Sequence, residues 1–428
     1  MGKKAENKVA GIIRLLVVGL IILAQLFFLA LIVRNLKAHT VYLYFVLELL
    51  AVLAVLGLID HNRNASYRIV WLVIILVLPV FGYILYLLWG RATTTGRKSL
   101  RTLETLRRGG QFLRQEPEVY TALEQAHPWR KRMASFLIRE GFPLYKDTRC
   151  QYFPLGELQF EQMIKDMETA ERFIFLEYYI LAEGKLWDRI HEILKVKAGE
   201  GVEVRLLFDD FGSIITLPNN FIPQLKKEGI QALAFNPVHR YISRLYINYR
   251  NHQKIAVIDG NIGYTGGTNL ADEYANIYPK HGHWKDTAIR LEGDAVWSLT
   301  VTFLQMWETE SHNQEDYRQY QPTINRDGDG FYQPFSDGPV NNPHNPAETM
   351  YRQLISNTKE YVYITTPYLV IDEAMAETLS TAAKAGTDVR IITPKIYDRW
   401  YVHMVTRSNY GRLMESGVRI YEYSPGYI

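Results

Sequence analysis

One cysteine, Cys150, is all that 428 residues contain. A single thiol excludes an internal disulfide framework and a cysteine-built zinc site. Excess charge is lacking too. Forty-eight Lys and Arg stand against 45 Asp and Glu, a formal +3. That balance does not argue for nucleic acid, whose binders usually carry a strongly basic domain. His239, His281 and His283 lack the Cys or acidic spacing of a metal site, and His281-Gly282-His283 reads as a loop or substrate rim.

Apolar sequence is abundant, and much of it precedes residue 91. Leu15–Val33 is broken only by Gln25, Val41–Ile59 contains Glu48, and Ile69–Trp89 carries Pro79 and Gly82 near its middle. A bilayer core takes about 20 apolar residues per helix. Three spans are expected, or two spans and a helical hairpin around Pro79. Glu48 is expected to face a neighbouring helix. The Lys/Arg count around the runs favours the large downstream domain on the cytoplasmic side. Arg91 to Arg108 then lies against anionic headgroups, or forms an ordinary solvated linker helix.

Length predicts two or three units. We divide the chain into a membrane domain at 1–92, a helical linker at 93–128, a first lobe at 129–315, a connection at 316–345 and a second lobe at 346–428. Strands and helices alternate from Trp129. Strands are expected at Arg172–Leu181, Val202–Phe208, Ile230–Phe235, Lys254–Asp259, Ile262–Thr265 and Thr287–Leu291. Helices are expected at Leu186–Lys197, Phe221–Glu228 and Ala295–Glu310, giving an α/β layer pattern. After the polar stretch Ser311–Pro346 the pattern restarts, with a strand at Tyr361–Pro367 and a helix at Glu373–Lys384. Ala385-Gly-Thr-Asp-Val-Arg-Ile-Ile392 echoes the segment from Ala198 to Leu207, and Gly417–Pro425 echoes Gly229–Pro237. The chain reads as a duplication whose second copy is incomplete at Ile428.

Chemistry concentrates at Asn251–Asp259 and, six residues on, Gly266-Gly267-Thr268-Asn269. On a strand, His252 and Lys254 would share a face. The ammonium is a point charge suited to a phosphate oxygen, and the imidazole is a nucleophile able to hold phosphorus covalently. Asp259 could orient a ring nitrogen. Gly266 and Gly267 would let backbone approach an anion, with Asn269 donating to it. Asp209 and Asp210 follow a strand end, where a pocket lining and a helix cap both fit. Trp284-Lys285-Asp286 fits packing under the site or plain core. Tyr241, Tyr246 and Tyr249, interleaved with Arg240, Arg244 and Arg250, fit an interfacial or a solvated loop.

The spacing His-x-Lys-x4-Asp-x6-Gly-Gly-x-Asn resembles the phospholipase D superfamily motif. Leu78-Pro79-Val80-Phe81-Gly82-Tyr83, Phe175-Leu-Glu-Tyr-Tyr179, Asp209-Asp-Phe-Gly-Ser213 and Trp284-Lys-Asp-Thr287 make the chain similar to bacterial cardiolipin synthases, with an extra first span. The resemblance implies N-terminal transmembrane helices followed by a phospholipase D-like duplicated α-β-α sandwich, here with its second lobe incomplete. It implies a multi-pass protein of the bacterial inner membrane acting on phosphatidylglycerol among anionic lipids, without metal or nucleotide; oligomers are compatible with it. Two phosphatidylglycerols would yield cardiolipin and glycerol through a phosphatidyl-histidine. His252 would be the nucleophile, Lys254 and Asn269 would bind phosphate, and Asp259 would support the motif. The family builds its site from two such motifs, whereas here His403 is followed at i+2 by Val405. Near-inactivity of these residues alone is expected, with the Val418–Tyr423 strand left as an apolar unpaired edge. A membrane-tethered phosphodiesterase using water and an inactive membrane protein remain the alternatives.

Overall fold

The computed structural model describes residues 65–86, 97–237 and 249–428, apart from 325, 329 and 339–345, and isolated positions before residue 56. Two compact units emerge, residues 1–93 with 238–248, and residues 94–237 with 249–428.

In the first unit, a helix at Ala65–Val77 ends before Pro79, which has no N–H to continue the ladder. Pro79 then opens a second helix, Pro79–Leu85. Gly82 lets that helix lie against the Ile74–Ile75 backbone, where a Cβ would collide. Of the two readings of this run, the helix pair around Pro79 is present, and not one continuous helix over 69–89. Among the described residues no helix is long and apolar enough to cross a membrane. The runs at 15–33 and 41–59 lie, isolated positions aside, outside the described residues.

The second unit holds both lobes. Its strands are β1 (Thr148–Phe153), β2 (Phe173–Tyr178), β3 (Glu203–Asp209), β4 (Gln231–Phe235), β5 (Lys254–Ile258), β6 (Ile262–Gly266), β7 (His283–Trp284), β8 (Ala288–Gly293), β9 (Tyr361–Thr365), β10 (Asp388–Pro394), β11 (Arg419–Tyr423) and β12 (Gly426–Tyr427). Among the described residues the first lobe is a seven-stranded mixed sheet, ordered β1-β8-β6-β5-β2-β3-β4. Ile174, Leu176 and Tyr178 alternate with Phe173 and Phe175 along β2 and feed opposite cores, so both faces of the sheet are buried. One core lies under the helices Gly156–Glu168 and Lys185–Gly199. The other lies under the helix Val296–Ser311, whose Phe303 and Trp307 pack on the sheet.

The second lobe is a parallel sheet ordered β11-β10-β9. Its register repeats that of the first lobe. Phe173 pairs with Glu203 and Phe175 with Arg205; Tyr361 pairs with Asp388 and Tyr363 with Arg390. Arg205 pairs onward with Gln231, and Arg390 with Arg419. The duplication read from the sequence is thus a duplication of register.

Two expectations need correction. The helix Arg97–Gly110 is not a solvated linker helix, because Gln305 Nε2 donates to Leu106 O at 3.0 Å and Arg108 pairs with Glu308. Nor is 316–345 merely a connection. Tyr317 and Tyr320 are buried in the first-lobe core, and Tyr145 bridges to Tyr332. The unpaired edge expected at Val418–Tyr423 is present, since β11 is an edge strand, as β4 is in the first lobe. The strand without its first-lobe partner is β9, since β2 pairs with both β3 and β5 whereas β9, among the described residues, pairs with β10 alone. β1, β7 and β12 were not expected.

Candidate active site

β5 and β6 form a hairpin whose turn uses Asp259 and Gly260 at positive φ, 55° and 72°. Asp-Gly is favoured where consecutive residues need positive φ. The turn fixes what can meet. β5 begins where β2 and β6 end, so Lys254 lies opposite Tyr178 and beside the Gly266 end of β6. Asp259 goes to the other end, beyond a strand roughly 16 Å long. Its carboxylate there accepts from the backbone N–H groups of Glu171, Arg172 and Phe173 at 2.9, 2.8 and 2.8 Å. Asp259 therefore does not orient His252; it fastens the start of β2.

His252 stands just before β5, not within it. Its backbone is held by the preceding residue. Asn251 N–H donates to Asp209 Oδ2 at 2.9 Å, its Nδ2 donates to Glu177 Oε1 at 2.5 Å, and its Oδ1 accepts from Gln253 N–H at 3.0 Å. The expected shared side for His252 and Lys254 is present, with Lys254 Nζ 3.2 Å from His252 Nδ1 and donating to His252 O at 2.6 Å. Tyr179 forms a wall, its ring 4.6 Å from the imidazole and 5.6 Å from the ammonium.

Surrounding protein atoms, and then the Lys254 charge, push the His252 pKa down to about 4, although the side chain keeps an exposed edge. The imidazole is neutral at neutral pH. Burial lowers Lys254 to about 8, opposed by the nearby Asp286 carboxylate. Burial raises Asp286 in turn, against the Thr287 N–H and Lys254. A charged ammonium can only donate, so Nδ1 accepts from it and the ring proton sits on Nε2 in this arrangement.

The glycines serve close approach. A Cβ on Gly266 would strike Thr287 O, and one on Gly267 would strike Asp286 Oδ1. Gly267 N–H already donates to Thr287 O at 3.1 Å, so the pair brings β6 against the Asp286 loop and leaves an exposed surface beside Lys254. Asn269 is buried, and its Oδ1 accepts from Ile180 N–H at 2.9 Å. It anchors the end of β2 rather than presenting itself to an anion.

Asp209 caps the short helix after β3, accepting from Phe211 and Gly212 N–H at 2.9 and 3.1 Å. Of the two readings for that position the cap holds, with the tie to Asn251 added. Trp284 packs in the core, 4.5 Å from Tyr274 and 4.6 Å from Tyr427, while Asp286 joins the site. His283 Nδ1 lies 2.8 Å from Tyr423 Oη, and the His281 ring lies tilted 5.9 Å from that of Tyr427; both serve contact between lobes. Among the described residues no three His, Cys, Asp or Glu side chains gather to hold a metal. Tyr241, Tyr246, Arg240 and Arg244 lie outside the described residues.

Sequence reasoning on the residues alone missed Glu177 and Tyr179, and gave Asn251 and Asp286 no specific role. A signal existed for Glu177, a lone carboxylate inside Phe-Ile-Phe-Leu-Glu-Tyr. It is fully buried, and burial lifts its pKa to about 8 against the Asn251 hydrogen bond.

Residues 163–279 and 351–428 match the family described as cardiolipin synthase, PLD-like domain, and residues 49–91 match the phospholipase D-nuclease N-terminal family. An uncharacterized protein of Streptococcus mutans is 38% identical over 88% of this chain and 81% of its own. A cardiolipin synthase of Listeria welshimeri is 32% identical over 90% of this chain and 82% of its own. Among solved structures, phosphatidylserine synthase of Haemophilus influenzae covers 69% of this chain and 78% of its own at 13% identity, with a TM-score of 0.49, too remote to argue from. With a His-x-Lys pair seated at the end of a duplicated α/β sheet, and relatives of this likeness and span, the chain belongs to the cardiolipin synthase family of the phospholipase D superfamily, a family of phosphatidyltransferases.

Proposed function

We propose that this chain supplies the nucleophilic half of a cardiolipin synthase reaction. The observation that carries the proposal is the neutral His252 imidazole 3.2 Å from the Lys254 ammonium. In the first step a ring nitrogen attacks the phosphorus of phosphatidylglycerol. The P–O bond to the headgroup glycerol breaks, glycerol leaves with a proton from an acid, and phosphatidyl-histidine remains. In the second step the free hydroxyl of another phosphatidylglycerol attacks the phosphorus, yields its proton to a base, and releases cardiolipin and free His252. Attack through Nε2 needs the ring proton on Nδ1. Lys254 then leaves Nδ1 for a phosphate oxygen as substrate arrives, and the exposed ring edge lets water carry the proton across.

The acid–base role asks for a second group. The 428 residues hold one His-x-Lys-x4-Asp, and a missing acid–base partner costs typically 10²–10⁴-fold. We therefore expect residues 1–428 by themselves to make cardiolipin very slowly. Hydrolysis is a second reading, favoured by the exposure of His252, which gives water a path to the intermediate. The apolar runs at 15–33 and 41–59 support attachment to a bacterial inner membrane through transmembrane helices, with the lobes on the cytoplasmic face.

The test is reconstitution of residues 1–428 with phosphatidylglycerol carrying a labelled phosphatidyl group. An acid-labile phosphatidyl-protein that His252→Asn abolishes is expected. Its absence under conditions where a two-motif relative is labelled overturns the proposal. Glycerol with cardiolipin marks transfer, and phosphatidic acid marks hydrolysis.

A further inference from the structure

The second lobe carries an apolar surface that the chemistry above leaves unused. The helix Trp400–Ser408 buries Thr406 and turns Trp400, Tyr401, Met404 and Val405 outward, at 62%, 52%, 62% and 46% exposure. These are positions i, i+1, i+4 and i+5, one continuous stripe of a 3.6-residue helix. Ile396 and Tyr397, on the loop before it, are exposed as well. Trp and Tyr are the side chains enriched where apolar and aqueous phases meet.

This surface adjoins the site. Arg399 stands close enough to Tyr179, the wall beside His252, for its charge to bear on the phenol. The loop is held there. Tyr368 Oη donates to Asp398 at 2.5 Å, Tyr368 is hydrogen-bonded to Tyr427, and the Tyr427 ring packs at a tilt against Trp284. Arg399 is itself half-exposed, 3.9 Å from Asp398, and Lys395 is exposed nearby. Aromatic and sulfur-bearing side chains flanked by cations fit the headgroup layer of an anionic bilayer. An apolar stripe of this kind sinks about 5–10 Å into such a layer.

We propose that the outward face of Trp400–Ser408 docks into the surface of an anionic phospholipid bilayer, bringing lipid phosphodiesters to His252 without lifting acyl chains through water. The ligand class rests on the function proposed above, whereas the docking does not depend on turnover. The test is therefore optical. In a Cys150→Ser background, Trp400→Cys and Met404→Cys each receive an environment-sensitive fluorophore. Val196→Cys, an exposed position on the helix Lys185–Gly199, is the control. The full chain is placed with vesicles of phosphatidylglycerol and phosphatidylcholine, and quenching by headgroup-level spin-labelled lipid is measured.

A blue shift and at least twofold quenching at 400 and 404, with little at 196, are expected. The effect should weaken in pure phosphatidylcholine and on adding Arg399→Gln. Equal quenching at all three positions overturns the proposal, as does none at 400 and 404. A shift that follows protein concentration without vesicles also overturns it, by assigning the face to another protein copy. Because no outcome is read as activity, a failure of the phosphatidyl-transfer reading leaves this result standing, and the reverse.

Discussion

His252 and Lys254 sit on opposite sides of neutrality, and the roles proposed for them require opposite protonation. The imidazole attacks only when neutral, so labelling of His252 should rise as pH climbs through about 4. The ammonium binds phosphate only when charged, so labelling should fall as pH passes about 8. A bell between those limits is expected in single-turnover labelling. Asp286 holds the Lys254 pKa up, so Asp286→Asn should move the alkaline limb to lower pH and leave the acid limb in place. Glu177 gives a stability test. Its folded pKa, about 8, lies above the ordinary 4.5. The folded state therefore holds its proton more tightly than the unfolded chain does. That contribution is complete below about 4.5 and is lost as pH rises through 8. Thermal unfolding should show Tm falling across this window, and Glu177→Gln should flatten the fall.

At the scale of elements, the β5–β6 hairpin separates two residues that the motif spacing groups together. A turn at Asp259-Gly260 sends His252 and Asp259 to opposite ends of one strand, so the aspartate acts on β2. Asp259→Ala removes the acceptor for three backbone N–H groups, which should cost about 2–3 kcal/mol of unfolding free energy. The His252 pKa, read by NMR, should stay unchanged; a shift there would restore the orienting role. Gly266→Ala drives a methyl into the Thr287 carbonyl and should destabilise the β6–β8 pairing more than an ordinary surface change. The strands legible in the sequence were those with branched or aromatic residues in their runs, β2, β3, β4, β5, β6, β8 and β9. β1 was missed because Arg149, Cys150, Gln151 and Tyr152 are all exposed, which leaves no alternation to read. β7 and β12 are two residues each, and only the partner strand defines them.

For the molecule as a whole, the lobes are joined through β12 and β7. Gly426 and Tyr427 pair with His283 and Trp284, and Tyr427 is buried between Trp284 and Tyr368. Tyr427→Ala should lower stability by about 3 kcal/mol and raise hydrogen exchange at both Trp284 and Tyr368, the mark of coupled lobes; exchange confined to one lobe would refute the coupling. The repeat also exposes an asymmetry. Arg205 lies between Phe175, Trp307 and Tyr320, beneath the helix Val296–Ser311. Its counterpart Arg390 lies over Tyr363 at 4.8 Å, with Tyr361, Tyr363 and Tyr421 exposed at 58%, 55% and 47%.

The sequence by itself determined the α/β alternation, the duplication and the pairing of an imidazole with an ammonium, because these depend on local periodicity, on repeated segments and on residues two apart. Tertiary structure alone decided which distant side chains finish the site. Asp286 and Tyr179 arrive there because β2, β5 and β6 end or begin at one rim of the sheet, and Asp259 is excluded because a strand carries its two ends apart. Strand direction and register are collective outcomes of burial on both faces, and no window of sequence contains them.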